Sequence, residues 1–394
     1  MITGNFPIEA LSKIETPFYY YDMKILRETI ATAKAAALMP VGAADSANVH
    51  IHYAVKACAT PEILAEMAAQ GLGADCVSGG EVCAAIEAGI PAEKVVFAGV
   101  AKTDKEIQYA LEQDIYCFNV ESEQELGIIN ELATAMGTRA RVCLRINPNV
   151  DAHTHAKITT GLKENKFGIQ MQDMLRVIAY AESLPAIDWL GLHFHIGSQI
   201  TDMAVFERLS ERINELQDEV ERAGYMPEVI NVGGGLGILY EHPNHFPIPD
   251  FQGYFDAFRR SLKLRKGQSL HCELGRSMVA QCGTLITRAL YVKQGVEKQF
   301  AIVDAGMTDL IRPALYGAFH RVENLSNARA EEQTYDIVGP ICESSDVFVE
   351  NYAIATVRRG DMLALRSAGA YGEVMASQYN LRRLPGHVTS DQIV

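Results

Sequence analysis

The 394-residue sequence lacks the features of secreted, membrane-spanning and nucleic-acid-binding proteins. No uninterrupted apolar run reaches the roughly 18 residues that would cross a membrane. The first ten residues carry neither a basic nor an apolar stretch, so we expect no secretion signal. The chain also has fewer basic than acidic residues. Its 35 lysines and arginines and 49 aspartates and glutamates give a formal charge of −14. Because such a chain repels phosphate backbones and anionic lipid, we expect neither nucleic acid nor a membrane as a partner.

The eight cysteines do not form any recognisable spacing. The chain contains no Cys-x-x-Cys pair and no zinc-like arrangement. Scattered cysteines in a chain of this size are typical of free thiols in a reducing compartment, so we expect a cytoplasmic protein. At roughly 100–200 residues per domain, the length predicts two domains, or at most three.

Eight short apolar or β-branched runs alternate with helix-like stretches over the first two thirds of the chain. Such runs are typical of parallel strands that are buried on both faces. They comprise residues 52–56, 73–77, 94–98, 115–119, 141–146, 189–195, 229–233 and 270–273. Eight β-α units predict an α/β fold with a (β/α)8 TIM-like barrel. A doubly wound Rossmann-like sheet would show a Gly-x-Gly-x-x-Gly motif near its start, and none is present there.

The pattern changes after Arg276, where strand-like runs follow one another without long helices between them. This predicts a C-terminal all-β domain of roughly 120 residues. The strand-like segment Pro17–Asp22 precedes the barrel, and we expect it to pair into the β domain. The predicted domains are residues 23–275 for the barrel, and residues 1–22 with 276–394 for the β domain.

Polar side chains collect at the carboxyl ends of the predicted strands, where barrels of this kind have their active sites. They are Lys56, Asp75, Asn119, Glu121, Arg145, His193, His195, the glycine run 233–235 and Glu273. Lys56 follows an apolar strand, where a buried charge must be paired or used covalently. It can form a Schiff base with an aldehyde cofactor, or extend to the barrel rim as a solvated lysine.

The remaining strand-end motifs each allow more than one interpretation. Glycines 233–235 follow the seventh strand, where loop amides often bind phosphate, or they form a tight turn. His193 and His195 would face the same way and fit a metal pair, a stacking face for an aromatic cofactor, or a hydrogen-bonded core pair. Glu273 can keep a heterocyclic nitrogen protonated, or form an ordinary rim ion pair.

Further motifs extend the pattern over nearly the whole chain. The barrel carries Tyr53-Ala-Val-Lys-Ala57, His193-Phe-His-Ile-Gly-Ser-Gln199 and Gly233-Gly-Gly-Leu-Gly237. The β region carries Leu310-Ile-Arg-Pro-Ala-Leu-Tyr-Gly317, Val338-Gly-Pro-Ile-Cys-Glu-Ser344 and Gly369-Ala-Tyr-Gly372. Together they resemble the fold-type III pyridoxal-phosphate-dependent decarboxylases, and in particular the diaminopimelate decarboxylase family. One departure is Leu274, where the family usually has proline; we expect the chemistry to survive because the flanking Glu, Gly and Arg are kept.

The resemblance implies the decarboxylation of meso-2,6-diaminopimelate to L-lysine and CO₂, the last step of lysine biosynthesis. The implied cofactor is pyridoxal 5′-phosphate, with no metal. Lys56 would hold the cofactor as a Schiff base, His195 would stack on its ring and Glu273 would bind the ring nitrogen. The further cofactor-binding residues implied are Asp75, Ser198, Gly235, Gly275, Arg276 and Tyr371.

The resemblance also implies a substrate site, a loop and an assembly. Substrate would be held by Arg276, Arg312, Tyr316, Glu343 and Tyr371, and Cys342 would be the proton donor. The segment His153–Gly168 resembles the family's mobile loop over the site. The implied assembly is a homodimer with shared active sites, in which Cys342 and Glu343 reach into the partner's barrel.

Physical chemistry supports this substrate, although different functions stay open. Planar guanidinium groups bind a distal carboxylate better than lysine does, and an unpaired charged pocket penalises substrates that lack the carboxylate. The nearest competing functions are same-fold decarboxylases of carboxynorspermidine, ornithine or lysine. A racemase would want a catalytic tyrosine where this chain offers Cys342. A non-catalytic pyridoxal-phosphate-binding regulator and a metal-dependent barrel hydrolase that uses His193 and His195 also remain open.

Overall fold

The computed structural model describes residues 6–38, 49–150 and 166–393, and contacts within the chain divide it into two units. We name them the barrel unit and the β unit. The barrel unit comprises Ile30–Gly237 and Asp250–Gly275, and the β unit comprises Met1–Thr29, Ile238–Pro249 and Arg276–Val394. The domain boundaries drawn from the sequence stay a prediction.

The described chain begins with α1 (Ile8–Leu11), β1 (Phe18–Tyr21) and α2 (Met23–Ala37). Strands and helices then alternate through the barrel unit. These are β2 (Val49–Ala54), α3 (Pro61–Ala69), β3 (Gly73–Cys76), α4 (Gly79–Glu87), β4 (Val95–Phe97), α5 (Asp104–Glu112), β5 (Cys117–Val120), α6 (Glu123–Met136), β6 (Ala140–Asn147), β7 (Ile169–Gln170), α7 (Met174–Ser183), β8 (Ile187–His193), α8 (Ala204–Arg222), β9 (Val229–Asn231), α9 (Phe251–Ser261) and β10 (Ser269–Leu274).

Eight of these strands close into a ring. Their order is β5-β4-β3-β2-β10-β9-β8-β6, and β5 also pairs with β6. All of the pairings around the ring are parallel. Each of the eight runs predicted as strands overlaps one strand of the ring, which confirms the (β/α)8 barrel. The short β7 pairs with the end of β6.

Local sequence signals explain where several barrel helices begin and end. Thr103 and Glu106 form a capping box at the start of α5, because each side chain accepts a hydrogen bond from the other's backbone N–H. Ser122 caps α6 by accepting from the Glu125 N–H. The same helix ends at Gly137, whose φ of 67° lies in the left-handed region that glycine adopts readily. Because the strands of the ring pair in parallel, their carboxyl ends meet at one mouth.

Besides α1 and the start of α2, the described part of the β unit contains a mixed sheet and two further short helices. Its remaining elements are α10 (Arg276–Val279), β11 (Gly283–Gln294), β12 (Gln299–Val303), α11 (Arg312–Tyr316), β13 (Val322–Asn324), β14 (Glu332–Val338), β15 (Val347–Ala355), β16 (Met362–Leu365) and β17 (Gly386–Thr389). The sheet runs β13-β16-β11-β12-β14-β15, β1 joins it through β11, and β17 pairs with β1. This confirms both the β domain and the expected pairing of the segment Pro17–Asp22.

A buried cluster links the ends of the chain within the β unit. Leu11, Phe18 and Tyr20 from the N-terminal segment pack with Ile286, Leu325, Met362 and Ala364. Burying such side chains contributes about 1.5–3 kcal/mol each relative to exposure, which explains why the N-terminal strand belongs to the C-terminal sheet. All eight cysteines lie in the described part of the chain and are free thiols. Among the described residues, no helix is long and apolar enough to cross a membrane.

Gly191 offers a test of how closely the ring is packed. It lies opposite Val229 in the β8–β9 pair, and a Cβ atom at this position would overlap the Val229 carbonyl oxygen. We expect Gly191→Ala to lower the free energy of unfolding by about 3 kcal/mol or more, because the clash is with backbone. Urea denaturation followed by the fluorescence of Trp189, the single tryptophan, measures this.

The matched control is Gly80→Ala in α4, where the nearest atom to an added Cβ is 3.7 Å away. That variant should stay within about 1 kcal/mol of the native protein, since helical glycine to alanine is neutral or mildly stabilising. Equal stability of the two variants would contradict the close strand approach.

Candidate active site

Lys56 lies in a 3₁₀ turn that directly follows β2 at the barrel mouth. Its Nζ donates to Asp75 Oδ2 at 2.5 Å, and Asp75 lies near the end of β3 with a completely buried side chain. Burial raises the pKa of Asp75, the nearby Glu273 carboxylate adds to the rise, and Lys56 acts against both. The sequence predicts that a lysine here must be paired or used covalently. Asp75 is the partner of Lys56 in the structure.

Glu273, near the end of β10, is a buried carboxylate with three side-chain partners. Asn119 Nδ2 and Asn231 Nδ2 donate to Oε1 at 2.8 Å and 2.7 Å, and His193 Nε2 lies 3.1 Å from Oε2. Burial alone would raise the pKa of Glu273, but His193, which also hydrogen-bonds the carboxylate, and the charge of Lys56 outweigh it and hold the pKa well below its usual range. The carboxylate is therefore ionised at neutral pH inside the barrel mouth.

His195 follows β8 and is held in one orientation and one charge state. The Gly234 N–H donates to Nδ1 at 3.3 Å, so the ring proton of the neutral form lies on Nε2. Burial, with the positive charges of Arg145 and Lys56, lowers the pKa of His195 well below its usual range. A neutral, oriented imidazole presents a flat face, as the stacking interpretation of the sequence requires.

Close approach of neighbouring backbone explains the glycines at 233–235, which follow β9. A Cβ on Gly233 would overlap the Phe194 carbonyl oxygen, and one on Gly234 would overlap the Glu273 carbonyl oxygen. Gly235 adopts a φ of 107°, which L side chains rarely adopt. The turn interpretation is therefore sufficient to explain the glycines, and phosphate binding by this loop stays a prediction.

Arg145 and Glu121 form a buried ion pair at the same mouth. Arg145 Nη1 donates to Glu121 Oε1 at 2.6 Å, and the two side chains are only 8% and 3% exposed. The Gly168 N–H donates to Glu121 Oε2 at 2.8 Å, and the Arg145 guanidinium lies 4.7 Å from the centre of the Phe167 ring. The sequence placed both residues at strand ends without assigning them a role.

These side chains open onto one cavity of about 410 Å³ in the barrel unit. Its lining includes Lys56, Arg145, Phe167, His193, His195 and Glu273. A cavity of this size can hold a small aromatic cofactor. An amine, an ionised carboxylate and a neutral imidazole in one cavity match what an aldehyde-bearing, protonated heterocycle needs, so the residues fit pyridoxal phosphate. Ser198 lies half-buried after β8, and Gly275 directly follows β10, where an added Cβ would lie 3.0 Å from the Ala54 Cβ.

A second group of predicted site residues lies in the β unit around Tyr240. Arg276 Nη1 donates to Tyr240 Oη at 2.6 Å, and the Arg312 guanidinium lies 5.1 Å from the centre of the Tyr240 ring. Arg276 also lies 5.0 Å from the ring centre of Tyr371, which adopts a left-handed φ of 56°. Both arginines are about 5% exposed. Tyr316, the last residue of α11, is half-buried.

Cys342 and Glu343 lie on an exposed surface of the β unit. The Cys342 N–H donates to Asn380 Oδ1 at 3.1 Å, and Tyr379 Oη donates to Glu343 Oε1 at 2.8 Å. Leu381 beside them is 98% exposed. The residues predicted as proton donor and as ammonium-binding carboxylate therefore both lie on a solvent-facing surface of the β unit.

Comparison with known proteins identifies the family. The model of the pyridoxal binding domain of pyridoxal-dependent decarboxylases matches residues 30–280. The chain is 57% identical to the diaminopimelate decarboxylase of Bacteroides thetaiotaomicron over 391 residues, covering 99% of this chain and 100% of that protein. The chain belongs to the diaminopimelate decarboxylase family. The Zymomonas mobilis member is 43% identical, covering 96% of this chain and 89% of the relative.

A solved structure of the same family agrees with the fold. The Helicobacter pylori diaminopimelate decarboxylase, complexed with L-lysine, superposes with a TM-score of 0.89 at 38% identity, covering 97% of this chain and 93% of that one. Membership in the diaminopimelate decarboxylase family confirms the resemblance, the fold class and the pyridoxal phosphate cofactor expected from the sequence. The individual residue roles stay predictions. Of the predicted loop His153–Gly168, all but the last three residues lie outside the described part of the chain.

Four side chains that contact the predicted residues were not assigned a role from the sequence. Asn119 and Asn231 hold Glu273, and Tyr240 and His320 contact the two arginines. Asn231 could have been suspected, because it interrupts the apolar run of β9 with a polar side chain. Tyr240 and His320 had no such signal, since neither lies at the end of a barrel strand.

The Glu121–Arg145 pair provides a stability test of the barrel mouth. We expect Glu121→Ala to lower the free energy of unfolding by about 3–5 kcal/mol, because it leaves a buried guanidinium without its carboxylate. Urea denaturation followed by Trp189 fluorescence measures the change.

The control is Glu123→Ala, which removes the ion pair between Glu123 and Arg176. The two atoms of this pair are also 2.6 Å apart, but the side chains of Glu123 and Arg176 are 43% and 57% exposed. Water compensates for the loss at that site, so the unfolding curve should coincide with that of the native protein. A native-like Glu121→Ala variant would refute the structural role of the buried pair.

Proposed function

We propose that this protein is a pyridoxal-phosphate-dependent carboxy-lyase that converts meso-2,6-diaminopimelate to L-lysine and CO₂, the last step of lysine biosynthesis. The observation that carries the proposal is the combination, in one cavity, of the Lys56 amine with the ionised Glu273 carboxylate. Family membership and the L-lysine complex of the Helicobacter pylori relative support the substrate.

Pyridoxal phosphate, when bound, supplies the electron sink for the carbanion that CO₂ loss leaves behind. Glu273 would accept a hydrogen bond from the protonated ring nitrogen, because its partners keep it ionised. Lys56 would hold the cofactor covalently through its amine, with Asp75 as its partner in the barrel. His195 would lie against the ring as a neutral imidazole. The further predicted cofactor residues are Ser198, Gly235, Gly275, Arg276 and Tyr371.

The distal end of the substrate is assigned to the arginines of the β unit. Arg312 is buried and forms no ion pair with a carboxylate among the described residues, and its Nε is a buried donor without a partner there. A buried guanidinium in that state favours an incoming carboxylate, which ornithine and lysine lack at their distal end. Arg276, Tyr316 and Tyr371 would complete the carboxylate site, and Glu343 would bind the distal ammonium.

Cys342 is proposed as the donor of the proton that replaces CO₂. It is an exposed thiol on the surface that also carries Glu343 and Leu381. Because Cys342 is exposed on the β unit, it is available to a second copy of the chain, and we propose a homodimer with shared active sites. The eight free thiols support a cytoplasmic location.

CO₂ release by the holoenzyme tests the function. With meso-diaminopimelate, L-lysine, L-ornithine and carboxynorspermidine offered separately, we expect release from diaminopimelate with L-lysine as the product. Lys56→Ala should remove both turnover and the visible absorbance of bound pyridoxal phosphate, because the covalent attachment is lost. Lys105→Ala, at an exposed lysine in α5, should retain both.

Release only from another substrate would refute the distal-carboxylate assignment while keeping the cofactor. No release from any substrate would favour a non-catalytic regulator. Full activity of Lys56→Ala would overturn the assignment of Lys56.

Cys342→Ala tests the proton donor and the dimer together. We expect turnover to fall by about 10²–10⁴-fold with the cofactor absorbance unchanged, because general acid catalysis is lost. Cys83→Ala, at a half-buried thiol in α4, should be fully active.

Mixing the inactive Lys56→Ala and Cys342→Ala proteins under subunit exchange should restore about a quarter of native activity. Random pairing makes half of the dimers mixed, and each mixed dimer has one intact site. No recovery, with exchange verified by mass, would contradict shared sites.

A further inference from the structure

His320 is a buried histidine behind the two arginines of the β unit. Its ring is 1% exposed and lies edge-on to the Tyr240 ring, with the centres 5.2 Å apart. Arg312 Nη1 lies 2.8 Å from His320 Nε2, and His320 Nδ1 lies 3.0 Å from the Arg366 carbonyl oxygen. The chain thus provides one contact for each ring nitrogen.

These two contacts define the state of the imidazole. A guanidinium nitrogen can only donate, so Nε2 must be the acceptor. A carbonyl oxygen can only accept, so Nδ1 must carry the hydrogen. His320 is therefore neutral, and burial together with the Arg312 charge lowers its pKa to about 3, which keeps it so at neutral pH.

Tyr240 contacts the same group from the other side. Its Oη accepts from Arg276 Nη1, and its ring faces the Arg312 guanidinium. Burial would raise the pKa of Tyr240, but the two arginines outweigh it and the pKa falls below its usual value. One aromatic side chain therefore orients both cations through two different interactions, a hydrogen bond and a cation–π contact.

The carbonyl oxygen that accepts from His320 belongs to an anchored residue. The Arg366 guanidinium donates to Glu323 Oε2 at 2.8 Å and to Asn244 Oδ1 at 3.1 Å. Arg366 is 4% exposed, so this ion pair is buried. Arg312 is thereby connected through His320 to a residue whose own side chain forms a buried ion pair.

We propose that Tyr240 and His320 are positioning residues that hold Arg276 and Arg312 in the orientation that binds the distal carboxylate of the substrate. They thereby set the preference for a substrate that carries this group. Two like charges held close together while both are buried need fixed partners, and without them the side chains would turn apart or towards solvent. The inference rests on the proposed function, because it takes the distal carboxylate as the ligand of these arginines.

Two small ligands isolate the distal carboxylate. The product L-lysine retains the distal amino-acid end of diaminopimelate, and 1,5-diaminopentane is the same molecule without the carboxylate. The inhibition constant Ki of each ligand is measured on the holoenzyme with meso-diaminopimelate as substrate. The difference between the two Ki values reports on binding of the carboxylate by the arginines. This readout is separate from kcat.

His320→Asn and His320→Gln form a matched pair. The amide of asparagine can replace Nδ1 and donate to the Arg366 carbonyl, whereas the amide of glutamine can replace Nε2 and accept from Arg312. Because a hydrogen bond to a charged group is worth about 1.5–3 kcal/mol, we expect His320→Asn to raise KM for diaminopimelate and Ki for L-lysine about tenfold or more. His320→Gln should restore most of the affinity, with kcat within about threefold of native in both variants and Ki for 1,5-diaminopentane unchanged.

Tyr240→Phe is a milder second variant that keeps the ring over Arg312 and removes the acceptor for Arg276. It should raise KM and the L-lysine Ki in the same selective way. The control is Tyr352→Phe, which removes a hydroxyl that donates to the Val322 carbonyl oxygen elsewhere in the β unit. That variant should be indistinguishable from the native enzyme.

Arg312→Gln separates the failure of this inference from failure of the proposed function. If Arg312→Gln weakens L-lysine selectively but the Tyr240 and His320 variants do not, the positioning role is refuted and the distal site stands. If Arg312→Gln weakens both ligands equally or neither, the distal-carboxylate assignment itself is refuted. Equal losses in His320→Asn and His320→Gln, or a fall in kcat at constant KM, would also overturn the positioning role.

Discussion

The buried carboxylate of Glu273 is the interaction on which the rest of the barrel site depends. A carboxylate in a protein interior costs several kcal/mol unless its oxygens are paired. The ring of parallel strands supplies the partners, because Asn119 on β5, Asn231 on β9 and His193 on β8 all face Glu273 on β10. The ionised state of Glu273 therefore depends on the closure of the barrel, which brings these partners together.

Charge at the barrel mouth is arranged around that carboxylate. Lys56 lowers the pKa of Glu273, and Glu273 raises the pKa of Asp75, so the charge state of each carboxyl group depends on its neighbours. His195 stays neutral beside two cations. The site thus contains an amine, an anion and an uncharged aromatic face within one cavity, which is the set of groups that a pyridine-based cofactor needs.

The β unit solves the opposite electrostatic problem. It buries the guanidinium groups of Arg276 and Arg312, and Arg312 has no carboxylate partner among the described residues. Tyr240 and the neutral His320 contact the cations without placing a carboxylate beside them. Under the proposed function, a carboxylate from the substrate would meet an oriented positive site, which a protein carboxylate in the same place would have filled.

Much of the fold and of the site could be read from residue patterns alone. Strand runs, glycine positions and the strand-end residues Lys56 and Glu273 depend on local rules: periodicity in β-strands and the cost of burying charge. Membership in the diaminopimelate decarboxylase family was likewise evident from motifs.

What the sequence could not reveal were the contacts between residues far apart in the chain. Asn231 lies 42 residues from Glu273, and Tyr240 lies 36 residues from Arg276. Only the closed ring and the folded β unit bring such pairs within hydrogen-bonding distance. The chemical types of the site residues were therefore determined by the sequence, while their charge states and orientations were decided by the tertiary structure, because burial and neighbouring charges exist only after folding.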